Sequence, residues 1–120
     1  MLALVLPIGL MFMAMPKGFD MTHEQIGTGT MALVFVYDPN LAVSNSQTEE
    51  MNKARDELGD KVLFLIAKVG TPEGEQLMAK YRANAAELLL FSASGKLVQR
   101  QYAQKSANEL MAWFTANASK

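Results

Sequence analysis

The chain has 120 residues, enough for one domain with a real core and little more. Lysine and arginine (11) nearly balance aspartate and glutamate (12), so a net charge of −1 gives no electrostatic reason to expect nucleic acid or an anionic membrane surface as partner. Cysteine is absent, which excludes disulfides, thiolate nucleophiles and Cys-ligated metal sites.

The first segment, MLALVLPIGLMFMAM, carries no charged side chain over fifteen residues, and PKGFD then brings Pro16, Lys17, Gly18 and Asp20. Its length falls short of the ~20 residues a helix needs to cross a bilayer, and Pro7 and Gly9 interrupt it. The length suits the hydrophobic region of a signal peptide, although no Lys or Arg precedes it and no small-x-small site follows. Residues 1–16 are therefore expected to export or anchor the chain, with 17–120 as the domain. The alternative is an extra strand or helix packed on that domain, which would leave the protein in the cytoplasm. Met11, Met13 and Met15 sit at a spacing that could hold Cu(I), but thioethers in an apolar run are more simply apolar filler. No metal site is expected.

Thr22 with Gln25 can cap a short helix that stops at GTG. Met31 to Tyr37, MALVFVY, is a continuous apolar run, as expected of a strand covered on both faces. Ser46 and Glu49 form a capping box for a helix whose inner face holds Met51, Ala54 and Leu58 and which Gly59 ends. Val62 to Val69 gives a second buried strand, parallel to the first through a right-handed crossover. Thr71 as N-cap and Pro72 in the first turn open a helix with Leu77, Met78 and Tyr81 inward. Glu87 to Phe91 is a short apolar strand, SASGK a tight turn, and Lys96 to Tyr102 an alternating edge strand. Ser106 and Glu109 cap a closing helix that buries Leu110, Met111, Trp113 and Phe114. The fold class is α/β: a mixed central sheet flanked by helices, in the order β-α-β-α-β-β-α, after the apolar N-terminal segment.

This order resembles thioredoxin. LLLFSASGKLV resembles the family's hairpin, SANELMAWFTANAS its last helix, and ALVFVYDPN its central strand and the start of its active-site loop. The resemblance covers Met31 to Ser119, about three quarters of the chain. It implies a thioredoxin-like fold, and it places the family's two active-site cysteines at Leu41 and Ser44. By the same resemblance the family's aromatic falls at Tyr37, its buried acid at Phe35 and its cis-proline at Ala86. Four functional positions are thus replaced together, and no thiolate is left for disulfide exchange. A cis bond before a non-proline costs about 3 kcal/mol, so the loop at Ala86 is expected to be trans and reshaped.

Other candidate chemistry is weaker. Ser44 and Ser46 both precede the first long helix and are expected to cap it; Ser44 has no His or Lys base nearby to make it a nucleophile. His23 is the only histidine, expected in the first turn of a short surface helix, and has no histidine partner for a metal. Glu49, Glu50, Lys53, Arg55, Asp56 and Glu57 form a solvated face with pairs such as Glu49 with Lys53. GTGT at Gly27 to Thr30 lacks the spacing of a phosphate loop. The expected function is a redox-inactive module, without cofactor. It would bind a protein or peptide in the groove formed by Asn40, Leu41, Ala42 and Val43 with Ala85 and Ala86. The alternative is a non-redox enzyme on the same fold, such as a glutathione-dependent transferase acting through Tyr or Ser.

Overall fold

The computed structural model describes residues 19–118. In these, β1 (Met31–Tyr37), α1 (Ala42–Leu58), β2 (Val62–Lys68), α2 (Pro72–Tyr81), β3 (Glu87–Phe91), β4 (Leu97–Tyr102) and α3 (Ala107–Asn117) follow in order. The strands form one mixed sheet in the order β2-β1-β3-β4. β1 and β2 run parallel, Met31 opposite Val62 through Tyr37 opposite Lys68, while β3 is antiparallel to β1 and β4 to β3.

The two inner strands are apolar runs because both of their faces are covered. On one face Leu33, Phe35, Leu88 and Leu90 meet Met51 and Ala54 of α1 and Leu110 and Phe114 of α3. On the other Val34, Val36, Leu89 and Phe91 meet Leu77 of α2. Each such side chain contributes about 1.5–3 kcal/mol on burial, against about 0–1 for a surface ion pair, so these two clusters hold the fold. Phe64 and Phe114 join sheet to helix edge-on at 5.7 Å, and Tyr81 and Phe91 do the same on the other face at 5.0 Å.

The helix ends follow from local chemistry. Thr71 accepts the Gly74 N–H at 3.1 Å beside Pro72. A Cβ at Gly74 would lie 2.0 Å from the Lys68 carbonyl oxygen, so only glycine seats the first turn of α2 on the end of β2. Ser106 and Glu109 make both halves of their capping box, at 3.2 and 2.9 Å. Gly59, at φ 59, closes α1.

Several local expectations change. No helix forms over Thr22–Gln25. Turns replace it, with His23 O accepting from Ile26 and Gln25 O from Thr28, and the Gln25 amide donates to the Asp20 carboxylate at 2.9 Å. A helix stopped by glycines within a turn gains too few hydrogen bonds to offset its nucleation. The segment is tied instead to the edge of the sheet: Ile66 donates its N–H to Asp20 O at 2.8 Å, and His23 Nε2 donates to Ile66 O at 3.0 Å. His23 therefore serves an edge strand rather than a helical turn.

α1 starts at Ala42, four residues before the expected Ser46 cap, and Leu41 is its N-cap with no side-chain hydrogen bond. Ser46 and Glu49 do not form a capping box; the Ser46 hydroxyl points back to Ala42 O. Leu58 is only half-buried, and the inner face carries two buried polar residues, Ser44 and Gln47, ahead of Met51 and Ala54. Gln47 is satisfied there by the backbone leading into α3, donating to Lys105 O at 2.9 Å and accepting from Lys105 N at 2.7 Å. Lys53 pairs with Glu50 at 2.9 Å rather than with Glu49. β2 ends at Lys68 and β4 begins at Leu97, and exposure in β4 rises along the strand instead of alternating. The expectations on residues 1–15, including the tether and the methionine run, lie outside the described residues. No helix among the described residues is long and apolar enough to cross a membrane.

Candidate partner-binding site

β1 and β2 both end, and β3 begins, at one end of the sheet, where open α/β sheets place their ligand sites. Two connections meet there: the loop from β1 into α1, and the turn that enters β3.

The first connection is held by its own side chains. Asp38 accepts the Asn40 N–H at 2.9 Å, and Asp38 O accepts the Leu41 N–H at 3.0 Å. Ser44, fully buried in the first turn of α1, accepts the Asp38 N–H at 3.0 Å. Tyr37 donates its hydroxyl to the Asn45 side chain at 2.7 Å, and Val69 N–H closes onto Tyr37 O at 2.9 Å. Phe35 is buried, edge-on to Tyr37 at 6.4 Å. Leu41 and Ser44 sit one turn apart, joined by Ser44 N–H to Leu41 O at 3.1 Å. Ser44 is thus neither a cap nor an accessible nucleophile: its hydroxyl is a hydrogen-bond acceptor in the interior. Outward, the loop shows Asn40, Leu41 and Ala42, with Val43 half-buried.

The second connection is a turn from Asn84 to Glu87, closed by Glu87 N–H to Asn84 O at 3.2 Å. Ala86 takes its third position at φ 68, a left-handed conformation that Gly or Asn would adopt with less strain. The peptide bond before Ala86 is trans. Ala86 is bonded on both sides, donating to Val36 O at 2.9 Å and accepting from Ala103 N at 2.8 Å. Asn84 N–H goes to the Glu87 carboxylate at 3.0 Å. Among the described residues this leaves Ala85, half-buried, with no partner for either its N–H or its C=O.

Beneath the turn lies an ion pair, buried at Glu87 and open to solvent at Arg100, whose side chain is 36 % exposed. Glu87 is 5 % exposed and receives Arg100 Nε and Nη2 on its two oxygens. The hydrogen bond from Arg100, reinforced by the Asn84 N–H, holds the Glu87 carboxyl below its ordinary pKa despite burial, and the same hydrogen bond raises that of Arg100. Nothing in the chain signalled this pair, since its members stand thirteen residues apart and only the strand register brings them together. Tyr102, opposite Glu87 on β4, accepts the Asn84 side-chain N–H at 3.0 Å and keeps 58 % of its surface exposed.

The site therefore offers no nucleophile with a base, and no group of three His, Asp or Glu side chains fit for a metal occurs among the described residues. Among the described residues it offers a main-chain donor and acceptor without partners at Ala85. Leu41, 37 % exposed, and Tyr102 are two of the large apolar side chains that the described surface leaves open, and both stand at this end. A cleft of about 530 Å³ lies elsewhere, between α2, the 22–27 segment and the hairpin tip at Ser94 and Gly95; none of its polar side chains is buried.

No family model and no curated protein matches the chain. Solved structures do. An uncharacterised thioredoxin-like protein from Clostridium perfringens superposes with a TM-score of 0.73 at 13 % identity, over 82 % of this chain and 79 % of its own. Thioredoxin-2, a component of malaria parasite protein secretion machinery, superposes at 0.65 with 19 % identity, over 72 % of this chain and 82 % of its own. Trxlp from Edwardsiella tarda EIB202 superposes at 0.64 with 18 % identity, over 80 % of this chain and 97 % of its own. The chain has a thioredoxin-like fold, and it contains no cysteine with which to carry out thiol–disulfide exchange.

Proposed function

We propose that the protein is a redox-inactive thioredoxin-like module that binds an extended segment of a protein partner at the end of the sheet formed by Leu41–Val43 and Ala85–Ala86. The observation that carries this reading is the main chain of Ala85, the one residue of its turn whose N–H and C=O both lack a partner among the described residues. An extended segment can complete it by strand addition, which supplies affinity through the main chain and specificity through neighbouring side chains. Leu41 and Tyr102 are the exposed apolar contacts suited to that second role. The uncharged run of residues 1–15 supports a module exported from the cytoplasm or tethered at its outer face. A glutathione-dependent transferase has less to stand on, because the Ser44 hydroxyl is buried and engaged and that of Tyr37 is given to Asn45.

The test is direct. Nonapeptides selected from a random phage-displayed library against the full chain are expected to shift the NMR signals of Leu41, Ala85 and Tyr102. Methylation of one peptide nitrogen should weaken binding about tenfold by removing a main-chain hydrogen bond. Peptides that bind elsewhere, or that tolerate methylation at every position, reject the reading. In an insulin-reduction assay with dithiothreitol the protein should match the protein-free control; acceleration would contradict the redox half of the proposal.

A further inference from the structure

The turn that presents Ala85 is held from several directions at once. Glu87 Oε1 accepts the Asn84 N–H and an Arg100 Nη2–H, both at 3.0 Å, and Oε2 accepts from Arg100 Nε. The rest of the guanidinium reaches past the turn to the end of α2: Nη1 donates to Tyr81 O at 2.9 Å, and Nη2 to Arg82 O at 3.1 Å. Arg82 is itself the left-handed cap of α2, at φ 51. On the outer side Asn84 Nδ2 donates to the Tyr102 hydroxyl. One planar fork thus fixes the residues before the turn, the residue that closes it and the carboxylate between them.

Stability alone is a poor reason for such a pair. Burying the Glu87 carboxylate carries a desolvation cost, and solvent at Arg100, whose side chain is 36 % exposed, screens the attraction that offsets it. What a guanidinium adds is direction, since its donors lie in one plane and bind a carboxylate and carbonyls at set angles. That direction is spent on the segment that holds Ala85, which among the described residues has neither its N–H nor its C=O paired.

We propose that Glu87 and Arg100, aided by Asn84 and Tyr102, are positioning residues of the partner site. They hold residues 82–86 so that Ala85 presents its N–H and C=O in one orientation, and they thereby set how long an extended segment stays bound. The inference rests on the reading that Ala85 pairs with such a segment. A preformed edge lowers the ordering cost of binding, and differences of this kind fall mainly on dissociation.

Two full-chain variants test it. Arg100→Lys keeps a cation beside Glu87 but cannot fork to Tyr81 O and Arg82 O; Tyr102→Phe removes only the acceptor of the Asn84 amide. Amide hydrogen exchange in the free protein is expected to quicken about tenfold at residues 84–87 in Arg100→Lys relative to Leu33 and Leu89 in the same sample, and less in Tyr102→Phe. A selected nonapeptide should leave Arg100→Lys about tenfold faster, with its association rate changed by less than about threefold. Unchanged relative exchange at 84–87 in both variants overturns the positioning role even if peptides bind. Quickened exchange with an unchanged dissociation rate shows a purely structural pair, which also overturns it. If the wild-type chain selects no peptide that responds to methylation, the strand-pairing reading itself falls, and this inference with it. Should Arg100→Lys not fold, Tyr102→Phe, whose ring stays at the surface, decides alone.

Discussion

In the Asp38–Leu41 loop, side chains from the loop and from α1 take up the main-chain donors: Asp38 serves Asn40, and buried Ser44 serves Asp38. In the Asn84–Glu87 turn the ion pair of buried Glu87 with Arg100 fixes the flanks, a left-handed alanine closes the bend, and among the described residues Ala85 is left unpaired. The two connections share one end of the sheet. Here they differ in kind. The first is a self-contained start to a helix, and the second leaves, among the described residues, one main-chain donor and one acceptor unpaired. Substitution can remove side-chain chemistry from such a site but not its main-chain groups.

The largest effect expected on this contrast comes from the first loop. Ser44→Ala removes only the hydroxyl and leaves the Asp38 N–H without its acceptor in a half-buried position, at a cost of about 2 kcal/mol. Urea denaturation should show that loss at unchanged slope. A loss under about 0.5 kcal/mol would mean that Ser44 does not hold the loop.

The second turn should respond to acid. Because Arg100 and the Asn84 N–H keep the folded-state carboxyl of Glu87 below its ordinary 4.5, its contribution is complete above that pH and is lost as pH falls through the depressed folded value. Glu87→Gln should therefore be less stable than wild type at neutral pH by about 1–2 kcal/mol, and the gap should close on acidification below 4.5. A gap that stays constant down to about pH 3 would remove the charge from the explanation.

A smaller and opposite change is expected at Ala86. Its φ of 68 strains an alanine, so Ala86→Gly relieves about 1 kcal/mol, offset by the greater freedom of glycine in the unfolded chain. The net gain should be about 0.5 kcal/mol by urea denaturation, with faster amide exchange confined to the turn. Destabilisation would show that the turn needs the alanine side chain, which packs on the core cluster beside it.

Much of the fold was legible in the chain, for identifiable reasons. β1 and β3 are continuous apolar runs because both faces are covered, and Thr71-Pro72 and Ser106 with Glu109 announce two helix starts. The start of α1 was not legible, since Leu41 caps it without a side chain and Ser44 turns inward to serve Asp38. Nor was the support of the site. Gln47 meets Lys105 at a separation of 58 residues and Glu87 meets Arg100 at 13, and neither separation has a local signature. The resemblance pointed to Ala85 and Ala86, but that only Ala85 is unpaired depends on hydrogen bonds to Val36, Asn84 and Ala103 that no spacing reveals.

The smallest expected effect is none, and it concerns residues 1–16. Fifteen uncharged residues cannot remain in water when each buried CH₂ is worth about 0.8 kcal/mol, so they are removed, inserted in a membrane or packed. The described residues argue against a need for packing. The buried residues of both core clusters lie between Ala32 and Phe114, with Phe19, Ile26 and Met31 packed against them, and among the described residues neither connection of the site bonds to anything upstream of β1. Among the described residues the first that ties the chain to the domain is Phe19, its ring 6.4 Å from that of Phe64 and under the Arg55 guanidinium at 4.2 Å, followed by Asp20 with its bond from Ile66. A chain beginning at Lys17 keeps all three contacts. It should be soluble and monomeric and melt within about 4 °C of the full-length protein, a difference of less than about 1 kcal/mol. It should also bind the selected nonapeptides with the same affinity. Should it instead aggregate or melt far below the full chain, residues 1–16 belong to the core, both loops would have to be read on a larger domain, and the case for export or tethering would lose its support.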